Sequence, residues 1–235
     1  MKRLLLVASF LLAAAVSLSL ASAAFGQGNT TTPKAQEDTT PSTQESTTQQ
    51  AHSDSKKKPK KTFDAVLAPL NNSGASGTAK LGLNEDKIAT RISSEGMTPN
   101  LPHAQHIHGM AEAISECPSL AADTNGDGLV STTEGQPFYG PIQVSLTTKG
   151  DTSPSSGLAV DRFPVADADG KVDYSRTLKI PKKVAKHLGD FAIVQHGVDV
   201  NGDGVYDGPP SDLDPNVPLE ATLPATCGKI VPVSS

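Results

Sequence analysis

Tryptophan is absent from this 235-residue chain, aromatic residues make up only 4%, and cysteine occurs just twice. A surface so poor in rings lacks stacking platforms for single-stranded bases and aromatic cages for sugars or quaternary amines. Basic charge is also scarce. Twenty Lys and Arg against 25 Asp and Glu leave a net charge of −5. That balance disfavours non-specific attraction to phosphate backbones, so no nucleic-acid partner is expected. Long hydrophobic runs are limited to one at the extreme N-terminus, which excludes a multispan membrane protein. No repeat of solenoid length is visible.

That single run has the layout of a secretory signal over residues 1–24. Lys2 and Arg3 form a charged start, Leu4 to Leu20 an apolar core, and Ala21-Ser22-Ala23 a small-residue cleavage site. The alternative is an uncleaved anchor. Residues 25–62 form a Ser-, Thr-, Gln-, Pro- and Lys-rich tether with almost no aliphatic side chains. Such a composition buries too little apolar surface to offset backbone entropy, so disorder is expected. Asn29-Thr30-Thr31 is a nominal glycosylation triplet. The basic run Lys56-Lys57-Lys58-Pro59-Lys60-Lys61 is either a solvated linker or a contact to an anionic cell envelope. A secreted or extracytoplasmic location is expected.

The remainder, 63–235, is the folded domain. It carries 12 basic and 21 acidic residues, a net charge of −9, which suits cations better than anionic macromolecules. Cys117 and Cys227 both fall there, and pairing is the default in an oxidising compartment; two free thiols are the alternative. Short β-rich segments at 63–70, 88–92, 142–147, 158–165, 172–180, 191–195 and 229–233 are separated by Gly, Pro, Asn and Asp clusters. Ile142-Gln143-Val144-Ser145-Leu146 alternates with period two. The spacing predicts an all-β antiparallel sandwich or barrel. One short helix is predicted over 181–188, with Pro181 in its first turn and Gly189 as its stop.

Three of six histidines lie in His103-Ala104-Gln105-His106-Ile107-His108, and His196 ends a predicted strand. In extended backbone His106 and His108 share a face, so both imidazoles can reach one metal ion, with His196 as a third ligand. Imidazole suits copper and zinc. A His-x-His pair alone also occurs on ordinary surfaces.

The joint pattern resembles the Cu/Zn superoxide dismutase fold, a Greek-key β-barrel, over about 63–235. His-x-x-His-x-His at His103, His106 and His108 is followed, eleven residues after His106, by Cys117. Ala225-Thr226-Cys227-Gly228-Lys229-Ile230 resembles that family's closing cysteine strand, and 188–196 the strand delivering its last copper histidine. Ala166-Asp167-Ala168-Asp169-Gly170 resembles a turn before it. The resemblance implies copper ligation by His106, His108 and His196, a supporting place for His103, and a bond between Cys117 and Cys227. There are departures. No histidine lies between His108 and His187, so the bridging and zinc-binding histidines are missing and no zinc is expected. Pro224 stands where the family's active-site arginine belongs, three residues before the last cysteine. Dismutase activity is therefore expected to be weak at most. The stretch Ala104–Gly109, with its His-Ile-His-Gly segment, together with the opening strands also resembles the CHRD (chordin) domain, which implies a non-catalytic envelope or matrix binding module instead.

A separate motif points to calcium. Asp123-Thr124-Asn125-Gly126-Asp127-Gly128-Leu129-Val130-Ser131-Thr132-Thr133-Glu134 fits the twelve-residue EF-hand loop. Side-chain oxygens fall at positions one (Asp123), three (Asn125), five (Asp127), nine (Ser131) and twelve (Glu134), with the Leu129 carbonyl at seven. The alternative is a metal-free Asx-rich turn. A second, weaker loop over 199–210 repeats the first nine positions through Asp199, Asn201, Asp203, Val205 and Asp207. Its twelfth position is Pro210, so Asp212 or Asp214 is expected to substitute for the bidentate Glu. Neither loop is flanked by two clear helices, and both are expected as insertions in a β-barrel.

Overall fold

The structure is a computed structural model, and it describes residues 61–110 and 115–234. The signal, nearly all of the tether and its basic run lie outside these residues.

Three long strands open the domain: β1 (Lys61–Pro69), β2 (Ser76–Asn84) and β3 (Lys87–Glu95). Each alternates strictly. Phe63, Ala65 and Leu67, then Ala79, Leu81 and Leu83, then Ile88 and Ile92 point into the core, while the residues between them are mostly solvated. Tight turns join the strands, and Asn71, Asn72 and Glu85 adopt positive φ there. The β2 segment was not anticipated from sequence, because Ser76-Gly77-Thr78-Ala79-Lys80 is weak in β-branched and aromatic residues. Its pairing on both sides outweighs that propensity.

The remaining strands are β4 (Gln105–His108), β5 (Ile142–Ser145), β6 (Val172–Lys179), β7 (Ala192–His196), β8 (Pro224–Lys229) and β9 (Val231–Pro232). Every pairing is antiparallel. The order is β5-β4-β7-β8-β1-β2-β3-β6, with β9 added to β1, and the sheet curls into a half-barrel. Side chains bridge the seam between its ends. Arg176 on β6 donates to the Thr147 carbonyl at 2.7 Å and to Gly150 O at 2.7 Å, and Tyr174 Oη donates to Thr147 O at 3.2 Å.

Three expectations need correction. Residues 158–165 are not a strand: they hold the 3₁₀ turn Val160–Arg162 and end in an isolated bridge of Val165 with Pro102. Pro164 removes a backbone donor within the segment, which works against a continuous ladder. The strand expected at 229–233 breaks at Ile230, leaving β8 and β9 on its two sides. The predicted helix contracts to α2 (Lys182–Lys186) with Pro181 as its N-cap.

β4 and β7 are buried on both faces. Ile107 and Ile193 face the barrel core. Behind them Gln195 joins Gln105, Ser94 and Thr226 in a buried hydrogen-bonded layer. The opposite face is roofed by long connections carrying α1 (Thr132–Tyr139) and α3 (Leu219–Thr222). The Cys117–Cys227 disulfide, with Cα atoms 5.7 Å apart, ties this roof to β8. In the chain-entropy picture, closing a loop of 110 residues stabilises the fold by about 4–5 kcal/mol. A disulfide is more typical of extracytoplasmic proteins. Among the described residues no helix is long and apolar enough to cross a membrane.

Candidate metal centre

Strand alternation puts His106 and His108 on the roofed face of β4, because Ile107 between them is committed to the core. Antiparallel register sets His106 opposite Val194 and His108 opposite Ala192, and the His196 amide donates to Ala104 O at 2.7 Å. His196 therefore lies diagonally next to His106. The ladder shifts register beside both His108 and His196, a place where bulges re-aim side chains.

The three rings meet with centroids 5.1 Å (His106–His196), 5.5 Å (His106–His108) and 5.9 Å (His108–His196) apart. One nitrogen from each lies within 4.8 Å of the other two. Among the described residues, this is the one His, Cys, Asp or Glu group of three or more that meets this condition.

Hydrogen bonding decides which nitrogens converge. His106 Nε2 donates to Gly157 O at 3.1 Å, His108 Nδ1 to Gly140 O at 2.8 Å, and His196 Nδ1 to Thr222 O at 2.8 Å. A carbonyl only accepts, so each bonded nitrogen carries the proton. The opposite nitrogens, His106 Nδ1, His108 Nε2 and His196 Nε2, are buried without a partner. Each ring thus keeps one neutral, unpartnered nitrogen while a backbone carbonyl orients the other, as metal-bound histidines usually are.

Burial lowers the pKa of all three. His106 lies well below the usual value, from desolvation and then the neighbouring His196 and His108. His108 falls to about 3, from desolvation and then His196, and His196 to about 4, from desolvation. All stay neutral and available at pH 7. This buried group can hold a metal ion. Leaving three buried polar atoms unsatisfied costs about 1–3 kcal/mol each, which a ligand to all three would remove.

Local glycine chemistry supports the geometry. Gly140 at φ +81° ends α1, and a Cβ there would come within 2.8 Å of the Gly109 backbone. That left-handed turn presents the carbonyl to His108.

His103 is not in the cluster. Its Nδ1 lies 2.9 Å from His196 O and its Nε2 3.0 Å from Thr98 O, with the Tyr206 hydroxyl at 3.2 Å from Nδ1. It holds the backbone of His196, and burial lowers its pKa as well.

The acidic loops adopt matching turns. Asp123 accepts from the Gly126 and Gly128 amides at 2.7 and 2.9 Å, Asn125 from Asp127 N at 2.8 Å, and Asp127 from Leu129 N at 2.9 Å. Asp199, Asn201 and Asp203 repeat these bonds onto Gly202, Gly204, Asp203 and Val205. Glu134 accepts from Thr124 N (2.8 Å) with one oxygen and Ser131 N (2.9 Å) with the other, forming a capping box for α1. The Ser131-x-x-Glu134 signature could have revealed α1 in advance, had Gly135 and Pro137 not argued against a helix. Desolvation raises the Glu134 pKa, but bonds from Ser131, Thr124 and Asn125 outweigh it and lower it to about 2.

In the second loop the expected substitutes, Asp212 and Asp214, have other hydrogen-bond partners. Asp212 is taken by Thr133, whose amide donates to it at 3.2 Å and whose hydroxyl also donates, and Asp214 caps Asn216. The place of Glu134 is filled by Glu220 of α3, which sequence reading missed. Its two oxygens accept from Val200 N and Asp207 N, both at 2.9 Å, the second and ninth loop positions. Glu134 bonds the same two positions of its own loop. No spacing rule reaches Glu220, because it comes from outside the twelve-residue frame.

No protein-family model matches the chain, and no curated protein matches it.

Proposed function

We propose that this is an exported metal-binding β-barrel protein whose His106, His108 and His196 hold copper. The observation that carries the reading is a set of three buried imidazoles that offer ligand atoms within 4.8 Å of one another and each leave one nitrogen unpartnered. Copper suits an all-imidazole set and supplies one-electron redox chemistry when bound. The resemblance to Cu/Zn superoxide dismutase is supported by the strand order, in which β7-β4-β5 and the bridged β5/β6 seam approximate a Greek key. Any dismutase activity is weak: Pro224 occupies the position of the family's arginine, and among the described residues nothing cationic lines the opening above the histidines. That same observation favours a second reading, a non-catalytic CHRD-like module of the cell envelope or matrix.

Calcium fills the two acidic loops in this proposal. Asp123, Asn125, Asp127, Leu129, Ser131 and Glu134 serve the first, and Asp199, Asn201, Asp203, Val205 and Asp207 serve the second, with Glu220 as its twelfth-position carboxylate. Both sites bear on the copper site through one atom. The Thr222 carbonyl accepts from His196 Nδ1 and from Thr132 Oγ1 of α1, and lies two residues from Glu220.

Metal analysis of the chelator-stripped and reloaded protein tests the proposal. One copper per chain, lost in His108→Ala and in His196→Ala, is expected. Copper bound equally by wild type and both variants would overturn it. Superoxide removal measured on the loaded protein separates weak enzyme from binding module.

A further inference from the structure

Over the three histidines lies a cavity of about 330 Å³. Its walls are Ile142, Leu158, Val160, Leu213, Val217 and Ala221, with Thr132, Gln136 and Ser155 adding neutral polar groups. Among the described residues no Asp, Glu, Lys or Arg lines it. Leu158 and Leu213 remain 40% and 44% exposed at its rim, two large apolar side chains left in water beside one opening. The unpartnered nitrogens His106 Nδ1, His108 Nε2 and His196 Nε2 belong to residues that also line it.

These features select a ligand. An anion would meet no cationic side chain in the cavity, and the folded domain as a whole carries −9. Asp212, beside Leu213, adds like charge near the rim. An apolar body would instead cover the exposed leucines and displace poorly satisfied water. The volume lies at the lower end of small-molecule sites, roughly 300–1,000 Å³. A cavity of about 150 Å³ accepts one benzene ring, so this one accommodates a body of about two rings.

We propose that the cavity binds a neutral small molecule with one donor nitrogen or sulfur on an apolar body of about two rings. The donor takes the coordination position that His106, His108 and His196 leave open. The proposal rests on the metal-centre reading above and names the ligand class of that site.

The test uses the full chain loaded with Cu(II) at pH 8, followed by electron paramagnetic resonance and visible absorption. Imidazole, 4-phenylimidazole and azide are titrated in parallel. The phenyl ring is expected to tighten binding at least about tenfold over imidazole, with azide weakest. Leu158→Glu and Leu213→Glu, both at the exposed rim, are expected to erase most of that gain, weakening 4-phenylimidazole far more than imidazole. Azide binding tighter than 4-phenylimidazole, no gain from the phenyl ring, or a copper spectrum that none of the three perturbs would each overturn the ligand class while leaving the centre intact. A copper signal that survives His108→Ala and His196→Ala unchanged would overturn the centre and this proposal together.

Discussion

Acid should unfold the metal-stripped protein unusually early, and the histidine cluster sets the magnitude. An unfolded histidine titrates near 6.5. In the folded chain His108 accepts a proton only near 3 and His196 near 4, while His106 is displaced in the same direction. Between those limits the unfolded state binds more protons than the native state, so stability rises with pH and is lost as pH falls below about 6.5. The loss levels off only near the folded values. Lowering the pH from 6.5 to 5 withholds about 1.5 units of protonation free energy per histidine, or about 2 kcal/mol each. His108 and His196 together contribute about 4 kcal/mol, and His106 adds to it. That is a large share of the 5–15 kcal/mol typical of a domain. The assay is urea unfolding of the chelator-treated protein at pH 7.5, 6.5, 5.5 and 5, in wild type and His108→Gln. Most carboxylates titrate below this window, so the slope there reports chiefly on histidine. His108→Gln should shed about one quarter of it, because His103, also lowered by burial, shares the slope with the three cluster histidines. A stability profile flat from pH 6.5 to 5 would refute the reasoning, because it would mean the three imidazoles take up protons in the folded chain.

Other outcomes follow from the same geometry. Cys117→Ser with Cys227→Ser should lower stability by about 2–5 kcal/mol in denaturant melts, loosening the roof from β8. Glu220→Gln should raise the calcium-free melting temperature, since Asp199, Asp203 and Asp207 gather near it, and should abolish one of two calcium-binding heats; Glu134→Gln should abolish the other. Two unchanged heats in Glu220→Gln would exclude its role as a calcium ligand. Gly140→Val forces a β-branched residue into positive φ and against Gly109, and should weaken copper binding by more than tenfold through His108, read by competition with a chelator. Unchanged affinity in a folded Gly140→Val would show that the Gly140 carbonyl does not orient that ring.

The sequence by itself determined what depends on local pattern. Period-two alternation marked β1, β3, β5 and β6, because one buried face imposes that rhythm wherever it occurs. The His103–His108 spacing put two imidazoles on one strand face, and two cysteines left one pairing to expect. Asx-Gly repeats gave both acidic turns, since their bonds join residues only two to five apart. Tertiary structure decided everything that needs a partner far along the chain. β2 was obscured because its stability comes from neighbours on both sides rather than from its own composition. The strand expected at 158–165 became a turn-rich segment beside the cavity, with Pro164 working against a ladder. Glu220 completes a loop that begins twenty-one residues earlier. Above all, the choice of lone pair at each histidine was made by the carbonyls of Gly157, Gly140 and Thr222, 51, 32 and 26 residues away. A histidine's spacing says which residues can meet. Only the fold says which nitrogen keeps its proton and which is left facing a common centre.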